Sequence, residues 1–312
     1  MTEMATNRWI WRDGEFIPWA DATVHVLSQS LQRGTLAFDY MSVHQTEQGP
    51  AILKLGPHIA RLFETGRIMG LPLDYTPAQL ETACVDTVRK NPGATSLKIS
   101  ALIPSIEVEL VPQDPTVSVV IAAYDSRKDI IDKNPGEMPH AKELSLKIER
   151  SISNRRDDVI PAQAKVAANY TAALFAKWRA RREGYDDILL LDDGQFVAEC
   201  STSNIFAVID GAIVTPPETR VLHGVTRSSV LALAPAVDVA VAERDLTVAE
   251  LLGAEEVFCT GTSVGVWPVL RIDDKAINGG VIGPITRKLR DKHREIVSGQ
   301  DSAFLDWLTF CN

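Results

Sequence analysis

Apolar runs at Trp9–Trp11 and Glu15–Ile17 flank an Asp13-Gly14 pair, and the pattern predicts a hairpin because Asp-Gly tolerates the positive φ angles of a tight turn. The stretch Gln32 to Val43, QRGTLAFDYMSV, mixes a glycine with aromatic and β-branched residues and predicts a short turn leading into a strand. Gly56-Pro57 then opens a helix in which Ile59, Leu62, Phe63 and Met69 recur at helical spacing, with His58 and Arg61 one turn apart. A second helix is predicted from Pro77 to Arg89, ending before Asn91-Pro92-Gly93, and strands follow around Ser96–Ile103 and Thr116–Ala123. Helices and strands are segregated here, which predicts an α+β domain over residues 1–123 and argues against a doubly wound sheet.

From residue 124 to 140 the chain is charged and loses periodicity, and Asn134-Pro135-Gly136 marks a turn, so this segment reads as a linker to a second domain, 141–312. Within it, Ala162 to Phe175 reads AQAKVAANYTAALF, with Lys165 in an apolar run at the head of a predicted helix. Tyr170, Leu174 and Trp178 fall on one face of that helix, which stops at Gly184. Hairpin signals follow at Asp192-Asp193-Gly194, Asp210-Gly211 and Asp273-Asp274, flanked by runs such as Ile188–Leu191, Phe196–Glu199, Ile205–Ile209 and Val257–Thr260. The second domain therefore reads as mainly β with added helices.

Composition narrows the function. A chain of 312 residues with 45% hydrophobic content can bury the cores of two ordinary domains. A net charge of −9 argues against a nucleic-acid partner, and the Arg179, Arg181, Arg182 cluster reads as the solvated end of a helix. The four cysteines are far apart and form no CxxC pair, so they read as reduced thiols of a cytoplasmic protein. The start MTEMATNRWIW lacks a basic stretch followed by an apolar core, and no apolar run reaches the about 18 residues that span a bilayer, so a soluble protein is expected. The six histidines show no ligand spacing, so no metal is expected. GxxxxGK[ST] and GxGxxG are both absent, which speaks against nucleoside triphosphates and dinucleotides.

Lys165 is the residue that asks for chemistry. A desolvated lysine loses proton affinity and becomes a nucleophile able to form Schiff bases, although most lysines are simply solvated. Glu199 ends the run FVAE, where its carboxylate could pair with a protonated ring nitrogen or stand as an exposed strand end. Gly224-Val225-Thr226 precedes a predicted helix, and Gly261-Thr262-Ser263 follows a strand. Both could present N–H groups and a hydroxyl to a phosphate, or be an ordinary helix cap and turn.

Taken together and in order, these blocks resemble the fold-type IV, pyridoxal-phosphate-dependent aminotransferases, and most closely the branched-chain family. The resemblance runs over HIARL at 58–62, AKVAANY at 164–170, GYDDILLLD at 184–192, AECSTSNIF at 198–206, VLHGVTR at 221–227, EEVFCTGT at 255–262 and GPITRKL at 283–289. It implies a small α/β N-terminal domain and a larger, mainly β, cofactor-binding domain. It further implies that Lys165 forms the internal aldimine with pyridoxal 5'-phosphate and moves the α-proton, that Tyr170 bonds the ring hydroxyl, and that Glu199 pairs with the pyridinium nitrogen. Arg61, Val225, Thr226 and Thr262 would hold the phosphate, and Leu222 would pack under the ring. The implied reaction is ping-pong transamination from an amine or amino acid to a 2-oxo acid, pyruvate or 2-oxoglutarate, in a homodimer.

The substrate side departs from the branched-chain pattern. Arg33 stands where that family carries tyrosine and Tyr40 where it carries a small glycine, and an arginine that the family places on a strand is missing from the matching stretch Leu97-Lys98-Ile99-Ser100. Arg33 and the run Phe38–Val43 resemble the (R)-selective amine:pyruvate transaminases, and this reading is put first, with branched-chain transamination second. D-amino-acid transamination, an aminodeoxychorismate-lyase-like activity, and a non-catalytic protein that keeps the fold are the remaining alternatives. Arg33, Phe38, Tyr40 and Ser263 are the candidate substrate residues.

Overall fold

Asp13 and Gly14 take φ angles of 51° and 98°, and there the chain reverses from β1 (Trp9–Arg12) into β2 (Glu15–Pro18), as the Asp-Gly pair predicts. The structure is a computed structural model that describes residues 7–133, 143–156 and 158–312. Contacts divide it into two units. One holds the described residues up to 133 together with 164–168 and 295–312, and the other holds the rest. The lysine-bearing segment and the C-terminal segment, assigned by sequence to the second domain, therefore cluster with the first unit.

In the first unit, α1 (Gln29–Arg33) leads into β3 (Ala37–Thr46) and β4 (Gly49–Leu53), followed by α2 (Leu55–Met69) and α3 (Pro77–Lys90). Thr76 caps α3 in a capping box with Gln79, and Pro77 sits in its first turn, where no N–H is missed. β5 (Ser96–Leu102) and β6 (Ser118–Tyr124) complete an antiparallel sheet with the terminal strand Leu308–Phe310 at its far edge. Residues alternate along β3: Ala37, Asp39 and Met41 are buried, while Phe38 and Tyr40 are half-buried on the opposite face. The buried face packs with Ile59 and Leu62 of α2 and Leu80 and Cys84 of α3. Each fully buried aliphatic there contributes about 1.5–3 kcal/mol. The segment read as a linker begins as ordered structure, a π-helical turn Ser126–Ile130 capped by the side chain of Asp125. The Asn134-Pro135-Gly136 turn and the start of the second domain at Ala141 lie outside the described residues.

In the second unit, β7 (Leu144–Ser153), α4 (Thr171–Arg182), β8 (Asp187–Leu191), β9 (Val197–Cys200), β10 (Asn204–Ile209) and β11 (Ala212–Thr215) lead to α5 (Val225–Leu233). Then come β12 (Val241–Glu243), α6 (Val248–Gly253), β13 (Glu256–Gly261), β14 (Gly265–Ile272), β15 (Lys275–Ala276) and α7 (Pro284–Val297). The path β10-β13-β14-β7-β8-β9 closes on itself through a single β9–β10 pair, Glu199 opposite Asn204, so this part of the sheet is a barrel. Leu146, Ile148, Leu189, Ile205, Val257, Cys259 and Val269 form part of its core.

Two expectations change here. Lys165 itself is not helical, because Phe38 of β3 bonds its carbonyl; the helical stretch begins two residues later, as a 3-10 turn at Ala167–Tyr170 that runs into α4 at Thr171. The buried face of α4 is Ala173, Ala176 and Ala180 against Ile188 and Leu190, while Leu174 and Trp178 are exposed. Small side chains allow the helix to lie close to β8, and the large ones turn outward. The three hairpin turns form where predicted, though in the first the positive φ falls on Gln195 and not on Gly194.

Candidate active site

In the first unit the lysine segment behaves as a short extra strand beside β3. Phe38 N–H donates to the Lys165 carbonyl at 3.1 Å, Ala167 N–H to Leu36 at 2.9 Å and Ala168 N–H to Gly34 at 3.1 Å, with a bridge between Ala37 and Val166. Gly34 has φ 70°, so the turn suits glycine by its backbone conformation, while a Cβ there would make ordinary contact with that of Ala168 at 3.4 Å. The Lys165 amide donates to Thr65 Oγ1 on α2 at 3.1 Å. With its backbone held on two sides, Lys165 places Nζ 5.0 Å from the centroid of the Phe38 ring. Lys98 Nζ lies 4.9 Å from the same ring.

Behind Phe38, on the buried face of the strand, Asp39 gathers α2. Arg61 donates through Nε to Oδ2 and through Nη2 to Oδ1, both at 2.8 Å, and His58 Nδ1 lies 2.7 Å from Oδ1. Burial alone would raise the Asp39 carboxyl, but Arg61 and His58 outweigh it and hold the group well below the usual carboxylate range. Burial pushes the His58 imidazole down against the pull of Asp39. The result is a fixed anion that orients the Arg61 fork.

In the second unit the barrel seam carries Glu199, only 3% exposed rather than an open strand end. Its Oε1 accepts from Asn154 at 3.3 Å and pairs with Arg155 Nη1 at 3.1 Å. Its Oε2 accepts from Leu222 N–H at 3.4 Å and lies 3.5 Å from Asn204 Nδ2, which also donates to the Leu222 carbonyl at 3.0 Å. Leu222 and the start of α5 are thereby tied to the seam. Gly224 is the N-cap of α5 with no side-chain cap, so the first turn, with Val225 and Thr226 both buried, keeps N–H groups and a helix dipole for an anion. Tyr170, half-buried, stands at the start of α4 with the Arg155 guanidinium 4.9 Å from its ring centroid. Thr262 lies half-buried in the turn after β13 and Ser263 is exposed beside it.

The donor set fits pyridoxal phosphate. A buried carboxylate beside the buried Oδ1 of Asn154, which has no hydrogen-bond partner among the described residues, suits a protonated ring nitrogen, and an uncapped helix start suits a phosphate. Among the remaining sequence candidates, Phe38 and Tyr40 share one face of β3, with the Tyr40 hydroxyl 2.8 Å from Ser96 Oγ, while Arg33 is exposed at the end of α1. Sequence reading missed Asp39 and Arg155 as working residues. An acidic residue inside the apolar strand AFDYMSV was the available signal for the first, and an arginine directly after a long strand was only a weak one for the second.

Residues 36–272 match the family Amino-transferase class IV. The chain belongs to this family, and it is a pyridoxal-phosphate-dependent aminotransferase. It is 33% identical over 303 residues to the branched-chain-amino-acid aminotransferase of Pseudomonas aeruginosa, covering 96% of both chains. It is 32% identical to that of Escherichia coli K12 over 311 residues, 97% of both. Its fold matches the branched-chain amino acid aminotransferase of T.th. complexed with N-(5'-phosphopyridoxyl)-L-glutamate, with TM-score 0.90, 32% identity and coverage of 98% of this chain and 99% of the other. The two-part α+β fold expected from the resemblance is the fold found. No helix among the described residues is long and apolar enough to cross a membrane.

Proposed function

We propose that the protein moves the amino group of a branched-chain amino acid to a 2-oxo acid, with 2-oxoglutarate as acceptor, in a ping-pong cycle and as a homodimer. The observation that carries this reading is likeness over essentially full length to enzymes named for branched-chain amino acids. Relatives of the same fold hold a glutamate adduct and 4-methylvaleric acid, an acidic and a branched apolar ligand. The comparisons thus favour the reading that the sequence placed second over (R)-amine:pyruvate transamination.

Pyridoxal phosphate, when bound, supplies an electron-poor ring that takes up the charge left at a substrate α-carbon. Lys165 would carry the amine that holds the cofactor, and its Nζ is the group that would take and return the proton of the substrate α-carbon. Glu199 would pair with the ring nitrogen, Tyr170 would bond the ring hydroxyl, and Leu222 would pack against the ring. Arg61, Val225, Thr226 and Thr262 would hold the phosphate. Phe38 and Tyr40 would wall the substrate, and Arg33 and Ser263 would serve its approach. Lys98, over the Phe38 ring, adds a positive charge to that face, in keeping with an anionic substrate.

Tyr40, with its hydroxyl fastened to Ser96, keeps the (R)-amine reading as the second one, because a bulky ring stands on the substrate face. A donor panel decides between them. L-leucine with 2-oxoglutarate should yield L-glutamate faster than (R)-1-phenylethylamine with pyruvate yields acetophenone. The reverse order would replace the first reading by the second, and pyruvate release from aminodeoxychorismate without either reaction would overturn both. An elution volume matching a monomer would remove the homodimer.

A further inference from the structure

We propose that Arg155 is a positioning residue that locks Glu199 and Tyr170 into one frame, so that the group meeting the cofactor's ring nitrogen and the group meeting its ring hydroxyl move together. The inference rests on the reading of Glu199 and Tyr170 given above. Arg155 and Glu199 side chains are only 7% and 4% exposed, and Nη1 lies 3.1 Å from Oε1. The same guanidinium has its carbon 4.9 Å from the Tyr170 ring centroid, and Nη1 also donates to the Ala162 carbonyl at 3.2 Å. One planar cation therefore touches the carboxylate, the phenol ring and the backbone three positions before Lys165.

The chemistry selects arginine. A guanidinium can ion-pair through its edge while its π-face lies against an aromatic ring, whereas an ammonium offers the charge without the plane. Arg156 and Arg220 line one cavity wall with Arg155, but they pair with Asp158 and with Asp192, away from the seam. Glu199 receives neutral donors from Asn154, Asn204 and the Leu222 amide, so Arg155 supplies its charge compensation. A carboxylate buried to this degree without a cation nearby costs several kcal/mol, so the frame that holds Glu199 in place depends on the guanidinium.

The test uses the holoenzyme and the variants Arg155→Met, Arg155→Lys, Glu199→Gln and Arg156→Met. The readouts are the visible absorbance of the bound cofactor as a function of pH, together with kcat and KM. Arg155→Met is expected to lower kcat about 10- to 100-fold with KM changed less than about threefold. It should also move the pH midpoint of the cofactor absorbance in the same direction as Glu199→Gln, by at least about half a unit. Arg155→Lys should recover most of the midpoint, since the charge returns, and only part of kcat, since the plane does not. Arg156→Met should leave both unchanged. A midpoint unmoved in folded Arg155→Met, with Glu199→Gln shifting it, overturns the role of Arg155 alone. If neither variant moves it, the ring-partner reading of Glu199 falls and the inference with it. Should Arg155→Met not fold, Arg155→Lys decides by the same midpoint and its split between kcat and KM.

Discussion

Phe38 and Lys165 meet twice: the Phe38 amide donates to the lysine carbonyl at 3.1 Å, and the lysine ammonium lies 5.0 Å from the centre of the phenylalanine ring. The first contact sets the backbone and the second the direction of the side chain. Replacing Lys165 by Ala should abolish both turnover and the visible absorbance of the lysine-bound cofactor. Phe38→Leu keeps the backbone bond and removes only the ring. A cation–π contact of this kind contributes about 0.5–1 kcal/mol, so kcat should fall roughly two- to fivefold with the absorbance kept. A yellow Lys165→Ala protein would remove the central assignment.

Asp39 holds Arg61 and His58 from a fully buried position, and it is the anion of that cluster. Asp39→Asn would leave the guanidinium without its charge partner, a loss of about 3–5 kcal/mol for a buried pair. Denaturant unfolding of the apo protein should show that loss, and cofactor titration should show a weaker complex because the fork of Arg61 is no longer aimed. Arg61→Lys keeps the charge but not the two-point geometry. It should therefore weaken cofactor binding while costing less stability than Asp39→Asn, and equal losses of stability in the two would argue against the positioning role.

How much of this was legible in the sequence depends on what each residue needed. The Asp13-Gly14, Asp210-Gly211 and Asp273-Asp274 turns and the helices from Leu55 and Pro77 were readable because local chemistry sets them. The environment of Lys165 was not, since a bond to a residue on β3, far away in sequence, holds the lysine itself extended and delays the helical turn to Ala167. The same limit explains α4, whose Leu174 and Trp178 share a helical face that turns out to be exposed while alanines pack inward. The proposed cofactor residues came from ordered blocks of resemblance. The tie of Arg155 to Glu199 needed the barrel closure that only three dimensions show.

Acid should weaken the fold in two steps. Burial pushes the His44 imidazole down to about 4 from an ordinary 6.5, so the folded protein resists a proton that the unfolded chain accepts. A lowered histidine contributes stability that is complete above the unfolded value and is lost as pH falls through the window from 6.5 to about 4. His58, also lowered, acts in the same direction. Asp39, lowered from 3.8, adds stability present above that value and lost as pH falls further. Unfolding free energy measured from pH 7 to 4.5 should therefore decline, with His44 accounting for at most about 3 kcal/mol. His44→Gln should flatten the slope in this window. An unchanged slope would mean that the buried imidazole is not the group responsible.

Gly224 has an ordinary backbone, φ −69° and ψ 126°, so its need for glycine is one of space and not of conformation. A Cβ there would run into the Asn204 side-chain oxygen and crowd Arg227. Asn204 cannot simply swing aside, because its amide nitrogen bonds the Leu222 carbonyl and faces Glu199 across the barrel seam. Gly224→Ala should thus displace Glu199, the proposed ring partner, and the start of α5 together. Overpacking of this kind costs about 1–3 kcal/mol, which if it falls on the cofactor-binding state is a loss of about five- to 150-fold in affinity. Gly253→Ala, where nothing lies within 4 Å of the added carbon, serves as the control and should leave affinity unchanged. Adding Asn204→Ala to Gly224→Ala should relieve the collision and recover stability without recovering affinity in full, because the Asn204 bridge between the Leu222 carbonyl and Glu199 is then missing and only the direct Leu222 N–H bond to Glu199, at 3.4 Å, remains. If Gly224→Ala binds the cofactor as tightly as the parent, the seam yields more easily than this geometry requires.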